Sequence, residues 1–352
     1  MTAIIPSVKV YETKTPANSR PGIAGKIAVV GAFDTTETNP KLFYTLAEAY
    51  TTFGDDKTNY KGCSCLDKLF YGAESVLAVN ITTETSATPP VREKELTTAK
   101  LTTALSKIKG EDFDILFIAD DLTDAGFPIV TAFLDECFGM KFPCGFVAGI
   151  TRANTSAYVT SAGLAGDHCY GLITQQFKIG GETYSVTDSG AYYAGVLASM
   201  NVGSSMTMKE VPQVIGVTPE LSFETGGDGK GQLEAGITTV KCQDRNNGRY
   251  VVVNSEQPNG WDLYINRTRD YVVKELALHQ FLGERNNEVT LSEIKHELAR
   301  VEDECVGVLD LLEDIEYTVS KKDANCVDIN ITSLLFAGII TTINVYITVE
   351  VQ

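Results

Sequence analysis

Histidine is scarce in this 352-residue chain, with three in all, and its eight cysteines, at positions 63, 65, 137, 144, 169, 242, 305 and 326, form no C-x-x-C pair. Structural zinc sites need four Cys or His ligands in closely spaced pairs, so this supply excludes the common zinc modules. Several cysteines sit in apolar runs such as FLDECF and FPCGFVAG, where a reduced thiol packs as a small core residue. The pattern predicts free thiols and a chain made in a reducing cytoplasm. Positive charge is also short, with 29 Lys and Arg against 46 Asp and Glu and a formal net charge of -17. Such a surface argues against nucleic acid as the main partner and selects basic ones. The amino-terminal MTAIIPSVKVYETK lacks the long apolar core and small-residue cleavage site of a secretory signal, so no signal peptide is expected.

The motifs of common catalytic chemistry are missing as well. The chain contains no G-x-S-x-G, H-E-x-x-H or G-x-G-x-x-G, which removes the nucleophile elbow, the metalloprotease helix and the dinucleotide fingerprint. PGIAGKIAVVG offers glycines and a lysine, but a phosphate loop needs four residues between its glycines and Ser or Thr after the lysine; here Ile27 follows. Asp120 and Asp121 in ILFIADDLTD stand at the carboxyl end of a predicted strand, where α/β folds hold ligands. No third carboxylate or phosphate loop joins them, so turn formation and helix capping explain them better than a magnesium site. Asp167, His168 and Cys169 adjoin in GDHCYG, yet strand neighbours point to opposite faces, a poor arrangement for a nucleophile and its base. SFETGGDGKGQLEAGI, 222–237, reads as a mobile loop followed by a structured turn. Neither a cofactor nor a metal ion nor an enzyme activity is expected from these residues.

What the chain does have is an alternation of short apolar runs and longer amphipathic stretches. The runs are KIAVVG (26–31), SVLAVNI (75–81), FDILFIA (113–119), FPCGFVAGI (142–150) and CYGLIT (169–174). Each is apolar almost throughout, as parallel strands covered on both faces are. Between them NPKLFYTLAEAYTTF, REKELTTAKLTTALSKI, PIVTAFLDECF and SGAYYAGVLASM read as helices. Pro40 and Pro128 fall at or near helix starts and Gly110 follows a helix end. QQFKIGGETYSVTDSG (175–190) places two polar-alternating runs around Gly-Gly, the pattern of a surface hairpin.

A second region starts near GRYVVVNSEQ (248–257), with helices expected over 268–284 and 290–305. In the latter, Leu291, Ile294, Leu298, Val301 and Cys305 recur at spacings of three and four, one apolar stripe. Away from the stripe lie Glu293, Lys295, Glu297, Arg300, Glu302, Asp303 and Glu304, a set that suits either a solvated face or a docking face. Thr290 or Ser292 is the expected cap, with Glu293 completing a capping box from Thr290. The chain closes on SLLFAGIITTINVYITVEVQ, in which Ile343, Val345, Ile347, Val349 and Val351 alternate with polar residues or Tyr346. Period two marks a strand with one apolar face, and Asn344 and Glu350 argue against a membrane span. AIIPSVKVYETK near the start is β-prone too. Two such termini need pairing, because an uncovered strand edge is a liability unless another chain completes it.

SGAYYAGVLASMNVGSSMT (189–207), GQLEAGITTVKCQDRNNGRYVVVNSE (231–256), NRTRDYVVKELALHQFLGE (266–284) and the strand region from Cys326 on follow one another in an order that resembles the contractile tail sheath proteins of phages, R-type bacteriocins and related injection machines. The match covers roughly the second half of the chain, and the short length is similar to the compact bacteriocin and defective-prophage sheaths. The resemblance implies a structural subunit that polymerises as stacked hexameric rings around an inner tube protein and contracts to drive the tube through a target envelope. It implies baseplate and terminator or collar proteins as further partners, with assembly in the bacterial cytoplasm, release in a phage tail or bacteriocin particle, and no membrane anchoring.

By that resemblance the terminal arms add strands to neighbouring subunits through Ile4, Ile5, Val8, Val10, Ile343, Val345, Ile347, Val349 and Val351. DIEYTVSKK and NCVDINITS would form the accepting sheet, and a helix over 291–304 would face the tube through Glu293, Lys295, Glu297, Arg300, Glu302 and Asp303. The expected fold is α/β, a layered and mostly parallel sheet domain with a smaller C-terminal α+β domain and extended β arms. The expected divisions are an arm at 1–21, a body at 22–247 with its hairpin near 175–190, a sheath-core domain at 248–333 and an arm at 334–352. Two other readings remain open: an α/β enzyme or ligand-binding protein using Asp120 and Asp121, and a non-contractile self-assembling shell.

Overall fold

KIAVVG becomes the central strand β1 (Lys26–Gly31) in a computed structural model that describes residues 25–86, 91–140, 142–244, 248–276, 278–281, 284–323 and 326–336. The chain continues through β2 (Lys41–Phe43), α1 (Leu46–Phe53), α2 (Lys61–Leu69), β3 (Ser75–Asn80) and a short ribbon of β4 (Thr83–Glu84) and β5 (Arg92–Glu93). Then come α3 (Thr98–Ile108), β6 (Ile115–Ile118), α4 (Phe127–Gly139), β7 (Gly145–Gly149), α5 (Thr155–Ala162) and β8 (Cys169–Ile173). The six-stranded sheet runs β2-β3-β1-β6-β7-β8. From β3 to β8 every pairing is parallel, with Ile27 opposite Val76 on one side and Ile115 on the other; only β2 is antiparallel. Helices cover both faces, and Ile27, Val29, Val76, Ile115 and Phe117 are fully buried. All five predicted strands are present because a parallel strand with no wet face must be apolar throughout.

Two predicted helices are shorter than their sequence pattern. NPKLFYTLAEAYTTF splits: Lys41–Phe43 pairs with β3 as an edge strand, so Pro40 precedes a strand and not a helix. Helix α1 starts only after Thr45, whose hydroxyl accepts from Glu48 N–H at 3.3 Å. REKELTTAKLTTALSKI splits likewise, with Arg92–Glu93 in the ribbon and Thr97 capping α3 through Lys100 N–H at 3.2 Å. In both segments a threonine offers the cap that ends an extended stretch. Pro128 and Gly110 stand as expected, the first in the opening turn of α4 and the second just past α3.

The chain next forms the hairpin β9 (Gln176–Ile179) and β10 (Glu182–Thr183), then α6 (Val186–Ala198), β11 (Val214–Thr218), α7 (Asp228–Glu234), β12 (Val240–Asp244), β13 (Arg249–Val252) and α8 (Leu263–Glu275). Gly180 and Gly181 turn the hairpin with φ of 60° and 90°, the two positive values that a two-residue type I′ turn requires. Strand β11 pairs with β9 on the other side. The expected loop at 222–237 contains a helix instead. Gln232 of α7 is buried and accepts from the Thr174 hydroxyl at 2.7 Å, and Asp228 accepts from Thr155 at 2.7 Å. These long-range bonds hold a turn that its glycines alone would leave mobile.

Helix α6 is buried on every side, from Thr187 and Ser189 through Ala198. Its small residues let it lie against α2 and β7 at backbone distance. A Cβ built on Gly195 would stand 2.4 Å from Lys68 O, and one on Gly190 would stand 2.9 Å from Gly149 N. Alanine gains about 1 kcal/mol of helix propensity over glycine, but backbone atoms on the facing helix have no rotamer with which to yield. Gly195→Ala is therefore expected to lose about 1–3 kcal/mol net, read as a lowered urea midpoint; an unchanged or higher midpoint would show that α2 can retreat.

The last elements build a separate, smaller core. Helix α9 (Glu288–Glu302) passes into a π-helical turn (Asp303–Val308) and is followed by β14 (Asp314–Asp323) and β15 (Cys326–Leu335). Leu291, Ile294, Leu298, Val301 and Cys305 are buried, the last four in a cluster with Val202, Val272, Leu276, Leu311, Leu312 and Ile315. The predicted stripe is thus the inner face of α9. Its cap differs from expectation: Asn287, and not Thr290 or Ser292, accepts from Val289 N–H at 2.9 Å and Thr290 N–H at 3.1 Å. Thr290 is itself buried and donates to Arg285 O at 2.7 Å. The helix expected over 268–284 begins earlier, at Leu263 behind an Asp262 cap, and ends at Glu275; Leu278–Phe281 is a 3-10 turn. Among the described residues no helix is long and apolar enough to cross a membrane.

Candidate assembly surfaces

Strands β14 and β15 pair antiparallel, with Tyr317 opposite Ile331, Val319 opposite Ile329 and Lys321 opposite Val327. Alternation puts Ile315, Tyr317, Val319, Ile329 and Ile331 against the second core and leaves Glu316, Thr318, Asp328 and Asn330 outward or more exposed. Among the described residues this is a two-stranded sheet, so neither outer edge has a third strand. Ten residues per strand make these edges long, and each presents a row of backbone N–H and C=O groups able to take another strand. The nine predicted arm residues, Ile4, Ile5, Val8, Val10, Ile343, Val345, Ile347, Val349 and Val351, lie outside the described residues. The chain leaves β15 at Phe336, whose ring stands edge-on to Tyr264 at 5.7 Å.

The six charged residues predicted to face a tube do not share one face of α9. At about 100° per residue, Glu293, Glu297 and Arg300 fall on one flank, Lys295 and Glu302 on the other, and Asp303 between. Arg300 binds Glu297 at 2.8 Å, Glu304 at 2.9 Å and Glu275 O at 3.1 Å, while Tyr271 of α8 donates to Glu304 at 3.0 Å. That flank is tied to α8, and burial together with Glu304 pushes the Glu275 carboxyl above its ordinary value. The opposite flank approaches the hairpin, where burial and then Glu302 and Asp303 push the Tyr317 phenol up. Glu293, Lys295, Arg300 and Asp303 are the exposed members of the set. A stripe reads only the buried direction; how the remaining charges divide depends on what packs beside the helix.

The chemical candidates are bound up in local pairs. Asp120 pairs with Lys61, and Asp121 pairs with Arg152 at 3.0 Å. The carboxyl end of the sheet beside them is filled by protein: Gly62 N–H, in the first turn of α2, donates to Ala32 O at 2.9 Å. His168 is buried between Arg269, 3.1 Å from Nδ1, and Asp135, 3.4 Å from Nε2. Cys169 is fully enclosed, and burial pushes its thiol up to about 12. Such a thiol is inert as a nucleophile. All eight cysteines are free, six of them buried. Among the described residues no group of three His, Cys, Asp or Glu side chains could hold a metal ion.

Two cations on α8, one buried and one partly buried, escaped sequence reading. Arg267 reaches the carbonyls that end α6, with its guanidinium 2.9 Å from Leu197 O and 3.1 Å from Met200 O. Lys274 lies 2.5 Å from Asp112 and 2.6 Å from Asp114, and Lys26 of β1 also pairs with Asp112. Together with the Tyr170 hydroxyl donating to Asp270 at 2.7 Å, they fasten the helix that leads into the second core onto the sheet. The only available signal was three basic residues on a helix that also needed a buried side.

No protein-family model matches the chain, and no curated protein matches it in sequence. Its architecture has clear counterparts among solved structures. A sheath tail protein from Desulfitobacterium hafniense superposes with a TM-score of 0.66 at 10% identity, covering 95% of this chain and 99% of that one. The chain has the tail sheath fold. The sheath tail protein of Listeria innocua matches at a TM-score of 0.65 and 13% identity, over 90% of this chain and 93% of its own. The helical sheath of the anti-feeding prophage in its contracted state matches at 0.66 and 12% identity, over 98% and 99%. The likeness to these tail sheath proteins therefore runs nearly end to end on both sides, with no large domain gained or lost. It carries the expected fold class, a mostly parallel sheet joined to smaller antiparallel sheets.

Proposed function

We propose that the protein is the structural subunit of a contractile tail sheath, which polymerises as stacked six-membered rings around a tube and contracts to drive the tube through an envelope. The observation that carries this reading is the end-to-end likeness to tail sheath proteins, in a chain whose β14–β15 sheet has two open edges among the described residues. The terminal segments 1–21 and 334–352 supply the strands for those edges in neighbouring copies, and 248–333 forms the sheath core around them. Glu293, Lys295, Arg300 and Asp303 contribute the tube contact, with Glu297 and Glu302 behind them. A net acidic subunit suits a basic tube surface. Baseplate and terminator or collar proteins bind the ends of the polymer. Work is drawn from a metastable lattice that buries more surface after contraction, so the subunit needs no nucleotide or metal and acts without enzymatic chemistry. Assembly takes place in the bacterial cytoplasm, and the particle is released whole.

Electron microscopy of the expressed protein with its tube partner is expected to show striated cylinders. Replacing Val345, Ile347 and Val349 with aspartate is expected to abolish these polymers while the thermal melt of the subunit stays unchanged. Normal assembly of that variant would overturn the arm assignment, and monodisperse wild-type monomers with the tube present would overturn the sheath reading.

A further inference from the structure

Helix α3 buries Leu101, Ala104, Leu105 and Ile108 against the core. On the flank beside that face, at about 100° per residue, Thr103, Lys107 and Lys100 fall within an arc of about 60°. Both lysines are partly buried. With Thr38 from the segment before β2, Asn80 at the end of β3 and Thr83 of β4, these three residues line a pocket of about 230 Å³. It lies outside the carboxyl end of a strand, where α/β sheets hold ligands. Neither Asp120 nor Asp121 lines it.

The fold leaves the positive charge of this pocket largely uncompensated. Lys107 donates to Thr38 O at 2.7 Å, and among the described residues no carboxylate lies within ion-pair distance of it. Lys100 donates to Glu93 O at 3.0 Å, while the Glu93 carboxylate is 3.9 Å away on a side chain that is 57% exposed. An ammonium has three N–H donors, so each lysine keeps donors over after these bonds. The net charge of -17 does not decide what such a pocket takes. At 0.15 M salt, charges more than about 8 Å away are screened, so two ammonium groups on one pocket outweigh distant carboxylates. Sites for drug-sized ligands run to about 300–1,000 Å³; this one suits a smaller group.

We propose that this pocket binds a small phosphate-type oxyanion, either inorganic phosphate or the phosphate end of a small monoester, held between Lys100 and Lys107 with the Thr38 hydroxyl donating to a further oxygen. Lysine meets such an anion as a compact point charge with rotatable donors, and each N–H···O bond to it is charge-assisted. The bound anion ties α3 to the segment before β2, so it stabilises the folded chain by linkage. The inference stands on this pocket alone and does not depend on the sheath reading.

The test uses the full chain and inorganic phosphate, at an ionic strength held constant with sodium chloride. Calorimetric titration is expected to show saturable binding of one phosphate per chain. Lys100→Met and Lys107→Met are each expected to weaken it by about tenfold or more, the size of one lost charged hydrogen bond. Lys178→Met, on an exposed position of β9, is expected to bind as the wild type does. Methyl phosphate separates the two sources: binding of both ligands assigns the site to a monoester end, and binding of phosphate alone assigns it to the free ion. Saturating phosphate is also expected to slow acetylation of Lys100 and Lys107, but not of Lys178, in the wild-type chain, a readout that needs no variant to fold. No saturable binding, wild-type affinity in both pocket variants, or unchanged acetylation of both lysines would each overturn the proposal.

Discussion

Replacing Arg267 with methionine is expected to cost about 2–4 kcal/mol of folding stability. Arg267 is 1% exposed, and among the described residues no carboxylate lies within ion-pair distance of it. Burial pushes its guanidinium below the ordinary value, though an arginine stays charged. The compensation comes from α6, which ends at Ala198 and directs the carbonyls of Leu197, Met200 and, at 3.4 Å, Asn201 toward the guanidinium. Those groups form the negative end of the helix dipole, equivalent to roughly half an elementary charge. Methionine removes a buried cation, which by itself is favourable. The acceptors remain behind, however, and although Leu197 O keeps Met200 N–H and Asn201 O keeps Ser204 N–H, they lose a charged donor, a bond worth about 1.5–3 kcal/mol. The second effect wins at Leu197 O, the nearest acceptor at 2.9 Å, because Leu197 is fully buried, whereas Met200 and Asn201 are less enclosed. Urea unfolding at neutral pH should show a lower midpoint at unchanged slope, with Arg267→Lys intermediate. A loss under about 0.5 kcal/mol, the usual size of a surface effect, would mean that the backbone donors already present satisfy the carbonyls.

Lys274→Met is the second, with an expected loss of about 2–3 kcal/mol that depends on pH. The ammonium lies between Asp112 and Asp114 and is only one-fifth exposed, at 21%. Asp112 is 35% exposed and shared with Lys26, so solvent screening weakens that side of the cluster. Burial alone would raise the Asp112 carboxyl; the charges and hydrogen bonds of Lys274 and Lys26 outweigh it and hold the group below its ordinary value. For Lys274 burial lowers, and Asp114 and Asp112 outweigh it, so the ammonium is held above its ordinary value. A depressed carboxyl contributes stability above its unfolded value near 4, which is lost as pH falls through the folded one. A raised ammonium contributes below its unfolded value near 10.4, lost as pH rises through the folded one. The cluster therefore stabilises the fold fully between about pH 5 and about pH 10. The difference in urea midpoint between wild type and Lys274→Met should be widest at pH 7 and shrink at pH 3. A difference that stays constant across that range would assign the effect to packing instead of charge.

Both residues sit on α8, and neither was visible as a stability determinant in NRTRDYVVKELALHQFLGE. In that segment Arg267, Arg269 and Lys274 look like an ordinary solvated face. Lys274 and Asp114 are 160 positions apart, and no local pattern reports which distant carboxylate a lysine will meet. The same limit explains α9. Its apolar stripe was legible because a buried face repeats every three to four residues. Its charged residues were not, because Arg300 turns toward α8 and Glu302 toward β14 under the influence of neighbours brought up by the chain fold.

The sequence by itself determined the five parallel strands of the central sheet, the inner face of α9 and the paired strands Asp314–Asp323 and Cys326–Leu335. Each carries a signal that is local and repeated: uniform apolarity where both faces are covered, period two where one is. Tertiary structure decided the rest. It made Lys41–Phe43 a strand by laying it on β3, and 228–234 a helix by anchoring Gln232 to Thr174. It also buried Arg267 and partly enclosed Lys274 where α8 meets the sheet. The reason is the same each time. Propensity and periodicity differ between alternatives by a few tenths of a kcal/mol per residue, whereas one buried long-range hydrogen bond or ion pair is worth about 1–3 kcal/mol and settles the local choice.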